Sequence, residues 1–320
     1  MELPNGEVRR GLVAAYAAVV DDVGLLETER ALVLPNGDFF PDVFSGDEPS
    51  VQRMLDRLLE HAGLTEMALE VRFWGEAEAS CGTGACGSCG PTGAEPESES
   101  VERLVDAGDF WQINVLPPEV KQPVALSSTL CRAIALAVLR EAEAPPRALE
   151  LDLAVDLTAI ALGYGVILLE GSHIYRKSCG GPSIARSTAL GPSEVALLLA
   201  LSAAVSEQPL RKVSKHLSAT QSEAFSEACA WADSNTALAQ TLRRDPKRIA
   251  RGEFELKETS SWLARWLGSK VRRAPSAESA ATIEELEAAL ASSSAPRPTL
   301  KPRDPKFDEI RRLVDEALSE

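Results

Sequence analysis

Histidine is almost missing from this chain: His61, His173 and His216 are the only three in 320 residues. That scarcity leaves few imidazoles for catalytic zinc, which is commonly held by two or three of them. Positive charge is also short. Lys and Arg number 33 against 48 Asp and Glu, giving a net charge of −15 and a pI near 4.8. Such a chain repels phosphate backbones, and no Lys/Arg run is large enough for a basic docking face, so nucleic acid is not an expected partner. Long apolar runs are absent as well. The run at 12–20 is too short to span a bilayer and lacks a small-residue cleavage site, and the run from Leu157 to Leu169 has the length of a buried helix. The expectation is a cytoplasmic protein without membrane insertion. "GYG" and "CGGP" match neither the P-loop nor the dinucleotide fingerprint, so phosphate-loop chemistry is not expected.

What is present is the composition of a protein with a real core, 45 % hydrophobic and 25 % charged. Residues 7–28 have the pattern of an amphipathic helix, and "ALVL" at 31–34 reads as a short strand stopped by Pro35, Asn36 and Gly37. Val51, Met54, Leu55, Leu58 and Leu59 repeat at helical spacing, with Gly63 as the stop. "MALEVRFW" and "FWQINVLP" read as strands, separated by the cysteine loop and an acidic, Ser-rich connection at 94–109. Past Pro117 and Pro118 the pattern turns helical: "STLCRAIALAVLREAEA", "ALELDLAVDLTAIALGYGVILLEG" and "SEVALLLALSAAVSE", then weaker helices near 220–245 and 256–267. A Gly/Pro/Ser-rich excursion, "GSHIYRKSCGGPSIARSTALGP", separates the second from the third. Trp262 and Trp266, four apart, mark a docking face on the last of these helices.

The expected fold is α+β, with a small N-terminal sheet and a predominantly helical C-terminal half. The core is 1–268, with a mixed part at 1–120 and a helical part at 121–268. A linker containing a short helix follows at 269–304, and 305–320 is a charged amphipathic helix.

Three of the six cysteines fall in "CGTGACGSCG", residues 81–90. In a reducing compartment they are thiols or metal ligands before they are disulfides. Cys81, Cys86 and Cys89 have the C-x4-C-x2-C spacing of plant-type [2Fe–2S] ferredoxin loops, although no β-grasp pattern surrounds them. Structural zinc is the other metal reading, with Cys179 or His173 completing the set. The plain alternative is a flexible glycine-rich turn. Cys131 sits within an apolar helix pattern, where a thiol acts as a small apolar residue. His61 falls near a helix end, where an imidazolium is favoured, and His216 lies in a basic surface run. A nucleophile pair of His173 with Cys179 lacks any group to orient the base.

The order of a "LVLP…FFPD.F" opening, a helix and strand, a Cys/Gly loop, a "TL" helix and "DLT…LGYGV" resembles a group of bacterial, often myxobacterial, proteins. Those proteins are similar to zincin metallopeptidases, and the resemblance spans roughly 30–235. It implies a first helix carrying T-L-x-H-E-x-x-H, in which two His one turn apart bind zinc and the Glu is general base, and a second supplying an acidic ligand. Here Thr129 and Leu130 are followed by Cys131, then Arg132, Ala133, Ile134, Ala135 and Leu136. Arg132 cannot ligate zinc, Ala133 cannot take a proton and Leu136 has no lone pair. Asp152 and Asp156 stay one turn apart on the next helix, within reach of a salt bridge to Arg132. The resemblance therefore implies a degenerate site at Arg132, Ala133, Leu136, Asp152 and Asp156, without peptidase activity. An ordinary helical hairpin, with the aspartates on a solvated face and Arg132 snorkelling, accounts for the same residues.

The expected function is that of a non-catalytic protein with a protein partner, its two short terminal helices being typical docking elements. A metal-binding protein on the cysteine loop is the competing expectation, with zinc its only named cofactor besides the cluster. An enzyme using the Asp152/Asp156 pair for acid–base work is the third.

Overall fold

Helix α7 (Pro192–Val205) has no polar face: every residue from Val195 to Ala203 is buried. A helix that is apolar all round has to be enclosed on every side, and α7 is the central post of the fold. Its first turn is closed by Glu194, whose Oε2 accepts the Gly191 N–H at 2.7 Å. Around it pack α9 (Ala219–Ser234), α1 (Gly6–Asp22) and α6 (Gly165–Gly171). The computed structural model describes residues 2–25, 30–74, 102–142, 151–178, 181–208 and 210–257. The cysteine loop, Cys179, the linker and the terminal helix lie outside those residues.

A second helical layer joins this post to a small sheet. Helix α4 (Pro123–Glu141) begins with Pro at its first turn, where the missing N–H is harmless, and buries Leu126, Leu130, Ile134 and Leu139. It lies along α5 (Leu151–Ala159) and α6, which continue one another through a π-helical turn at Ile160–Tyr164. By length and composition α4 and the rod Leu151–Gly171 are long and apolar enough to cross a membrane, but 61 % and 78 % of their apolar windows are buried inside the protein.

The sheet consists of β1 (Leu69–Phe73), β2 (Leu104–Asp106) and β3 (Trp111–Val115), in the order β1-β3-β2. Strand β3 pairs in parallel with β1 and antiparallel with β2. Leu69 and Val71 alternate with exposed Glu70 and Arg72, so one face of β1 turns to the core beneath α2 (Glu48–Ala62). The fold is α+β, with helices dominating its second half.

Several local expectations change. Residues 31–34 form no strand; the segment docks on the rod by the Val33 N–H, which donates to Gly163 O at 3.0 Å. Gly163, at φ +96°, makes this docking possible, because a Cβ on it would stand 2.5 Å from Ala31 O. The Gly/Pro/Ser-rich excursion contains an antiparallel hairpin, β4 (Ile174–Ser178) with β5 (Gly181–Ala185). Neither it nor three-residue β2 shows the apolar alternation that marks a strand. The helix expected at 220–245 divides at Asn235 into α9 and α10 (Thr236–Arg244). The Asn235 side chain explains the break: its Nδ2 donates to Trp231 O (2.9 Å) and Lys257 O (3.0 Å), and its Oδ1 accepts the Lys257 N–H (2.9 Å). Residues 253–257 are non-helical; the rest of the helix expected at 256–267 lies outside the described residues.

Candidate functional site

Thr129, Arg132, Ala133 and Leu136 follow i, i+3, i+4, i+7 spacing and so share one face of α4. On α5, Val155 lies one turn beyond both Leu151 (i, i+4) and Asp152 (i, i+3), so the three border the same side. These two faces, the segment Arg186–Ala189 after β5, and Arg103 and Glu119 beside the sheet line a cleft of about 430 Å³. Of the residues the sequence singles out, Arg132, Ala133, Leu136 and Asp152 therefore meet at one cleft. Asp156 lies beneath it, fully buried.

Arg132 uses all three of its nitrogens. Nη2 donates to Asp152 Oδ1 at 2.9 Å, and Nη1 donates to the Ser187 carbonyl at 2.9 Å. Nε stands 2.8 Å from Asp156 Oδ1, but its N–H is not aimed along that line, so the contact is an ion pair rather than a hydrogen bond. The other Asp156 oxygen accepts the Leu190 N–H at 2.9 Å. The two aspartates differ sharply in setting: the Asp152 side chain is 70 % exposed and that of Asp156 0 %. Burial pushes the Asp156 carboxyl above its usual value of 3.8, against the pull of the Arg132 charge and the Leu190 and Ala189 amides.

The 187–190 segment is fixed by close packing. Ser187 Oγ lies 2.8 Å from Ser128 Oγ and donates to Gly171 O at 2.9 Å, while Ser187 N–H donates to the same carbonyl at 3.0 Å. A Cβ on Gly171 would stand 2.5 Å from both hydroxyl oxygens, so glycine is what lets α4, α6 and this segment converge. Across the cleft, Glu119 Oε2 accepts from Arg103 Nη1 (2.7 Å) and Leu116 N (3.0 Å), and its Oε1 accepts from Thr129 Oγ1 (3.2 Å).

Sequence reasoning missed Arg103, Glu119, Arg186 and Ser187. They come from three separate segments, and only the polar string "ARST" hinted at the last two.

Among the described residues, no group of three or more His, Cys, Asp and Glu is arranged to hold a metal ion. Cys81, Cys86, Cys89 and Cys179 lie outside those residues. His173 is partly buried after α6, its carbonyl accepting from Gln221 Nε2 at 3.1 Å. His61 does not cap its own helix: Nε2 lies 3.0 Å from Phe39 O, and its ring meets that of Phe39 edge-on at 4.9 Å. Cys131 is fully buried, and burial holds its thiol well above the usual pKa, which makes it inert.

Chemically the cleft is poor in acid–base groups. A general acid has to come within hydrogen-bond reach of its substrate, and Asp156 is sealed off while Asp152 is held by Arg132. No protein-family profile, curated protein or solved structure matches this chain.

Proposed function

We propose that this protein is a non-catalytic binding protein: a metallopeptidase-like fold whose zinc-holding helix carries a salt bridge instead, and whose cleft takes up a segment of a cytoplasmic protein partner. One observation supports this reading above the others, the complete engagement of Arg132 between Asp152, Asp156 and Ser187 O. Zincin chemistry needs two imidazoles one turn apart with a carboxylate beside the first. A guanidinium, a methyl and an isobutyl group stand at those positions. Arg132 cannot swing aside to make room, because its departure would strand a fully buried carboxylate without a counter-charge. The remaining walls, Ala125, Ala133, Leu136, Leu151 and Val155, are apolar, and Leu151 is 58 % exposed. An open apolar wall of this kind suits a bound segment better than a reacting bond.

The test exposes the purified full chain, with and without added zinc, to an array of short peptides. A subset should be retained intact by mass spectrometry, and Leu151→Asp should abolish retention while leaving the circular dichroism spectrum unchanged. Cleavage that requires metal and is stopped by a chelator sinks the reading. A second arm restores the motif with Arg132→His, Ala133→Glu and Leu136→His together. Uptake of one zinc per chain supports descent from a zinc site. A folded variant without zinc makes the pair of helices an ordinary hairpin.

A further inference from the structure

Taking the cleft to be a peptide site, as proposed above, we infer that its ligand is an acidic segment of a partner protein, presenting two carboxylate side chains beside an aliphatic one.

The hydrogen-bonding groups around the cleft are out of balance. The carboxylate acceptors are mostly occupied, both oxygens of Glu119 and one of Asp152, and the Ser187 carbonyl is taken by Arg132. The hydroxyl donors are spent as well, Thr129 on Glu119, Ser187 on Gly171 O, and Thr188 on Leu190 O at 2.8 Å. Among the described residues, the unused side-chain groups at the cleft are mostly guanidinium N–H donors. Arg103 engages only Nη1, with Glu119 and with Asn114 O at 3.4 Å, which leaves Nε and Nη2 without a partner among the described residues. Arg186 is exposed and has neither a hydrogen bond nor an ion pair among those residues. Of the carboxylate oxygens lining the cleft, the one without a partner among the described residues is the second oxygen of Asp152, on a side chain turned mostly to solvent.

A surplus of planar, charged donors calls for oxygen anions, which a guanidinium binds through two parallel N–H bonds. Two separate forks match two carboxylates, which an Asp- or Glu-bearing stretch supplies and a single chain terminus does not. The aliphatic wall of Ala133, Leu136, Leu151 and Val155 supplies the other half of the specificity. The chain's charge of −15 repels acidic peptides in general, so their binding has to come from a local site.

The probe is a fluorescein-labelled, C-terminally amidated decapeptide of Gly and Ala with Glu-Leu-Glu at its centre, followed by fluorescence anisotropy on the full chain. Comparison peptides carry Gln-Leu-Gln, Lys-Leu-Lys and Glu-Gly-Glu. The expected result is saturable binding of Glu-Leu-Glu, weakened about tenfold or more by loss of either the charges or the leucine. Arg186→Glu, an exposed change that leaves the core alone, should weaken it by a similar factor, and Arg186→Lys by less. Equal binding of Gln-Leu-Gln, or indifference to Arg186→Glu, overturns the acidic assignment while leaving a peptide site in place. Failure of all four peptides at millimolar concentration overturns the peptide site itself. The chain's own stretch "EPESE" at 95–99 offers the same chemistry, so Glu95→Gln, Glu97→Gln and Glu99→Gln are tested together. Unchanged affinity supports a partner's segment; tighter binding makes that stretch the occupant and overturns the partner assignment.

Discussion

The rod formed by α5, the π-helical turn and α6 departs from a plain apolar helix in two places, and the two are solved differently. Near its start Asp156 buries a charge. That charge is met by a guanidinium from α4 and by backbone amides from the segment after β5. At Ile160–Tyr164 the rod buries an irregular backbone. Here the solution is neutral and steric: Gly163 makes room for Ala31 O, its carbonyl takes the Val33 N–H, and Tyr164 donates its hydroxyl to Leu58 O at 2.7 Å. A buried charge depends on long-range partners and on pH, whereas a backbone kink depends on shape. The first can be undone by removing one distant side chain and the second by adding one methyl group.

Removing the distant partner should have the largest effect. Arg132→Met leaves Asp156 without its counter-charge, and urea unfolding at neutral pH should show a loss of about 3–5 kcal/mol. A loss under about 1 kcal/mol would mean that the cleft solvates Asp156 once the guanidinium is gone. Adding the methyl group comes next. Gly163→Ala forces a positive φ on a residue with a Cβ and drives that carbon against Ala31 O, at about 2–3 kcal/mol by the same measurement. A variant as stable as the parent would show that the 30–34 segment can lift off without cost.

A smaller effect separates the two regions by pH. The folded Asp156 carboxyl titrates above its ordinary value of 3.8, so between the two values the folded state holds the proton more tightly than the unfolded chain. The stability contributed by Asp156 is then fully present below 3.8 and is lost as pH rises through the folded value. The unfolding free energy of the parent, minus that of Asp156→Asn, should fall across that window. A difference that rises with pH would mean that the Arg132 charge outweighs burial. Gly163→Ala, a neutral change, should show no such dependence. Smallest of all, Asp152→Asn removes the exposed half of the salt bridge and should change stability by no more than about 0.5 kcal/mol.

Much of the cleft was legible because it rests on local periodicity. Arg132, Ala133 and Leu136 share a helix face by spacing alone, and Asp152 and Asp156 are one turn apart for the same reason. Their meeting follows once the two helices pack. The opposing rim was not legible. Arg103 and Glu119 flank the sheet, and Ser187 is held by Gly171 and Ser128, 16 and 59 positions away in the chain. No pattern in "ARST" announces such contacts. The hairpin β4–β5 escaped for a related reason: its pairing is fixed by backbone hydrogen bonds, which two short strands without apolar alternation do not advertise.

The sequence by itself determined the helical content of the second half, the burial of the strongly apolar helix α7, the two main strands, and the zinc chemistry that the residues of α4 cannot supply. Composition and spacing suffice for these because each depends on residues within a few turns of one another. Only the tertiary structure decided that 31–34 docks on a π-helical turn rather than in a sheet, and that the guanidinium of Arg132 is divided between one exposed and one buried carboxylate. Only the tertiary structure, too, left Arg186 at the cleft without a partner among the described residues. Those outcomes depend on burial and on which distant atoms come within 3 Å, and both are properties of the packed chain.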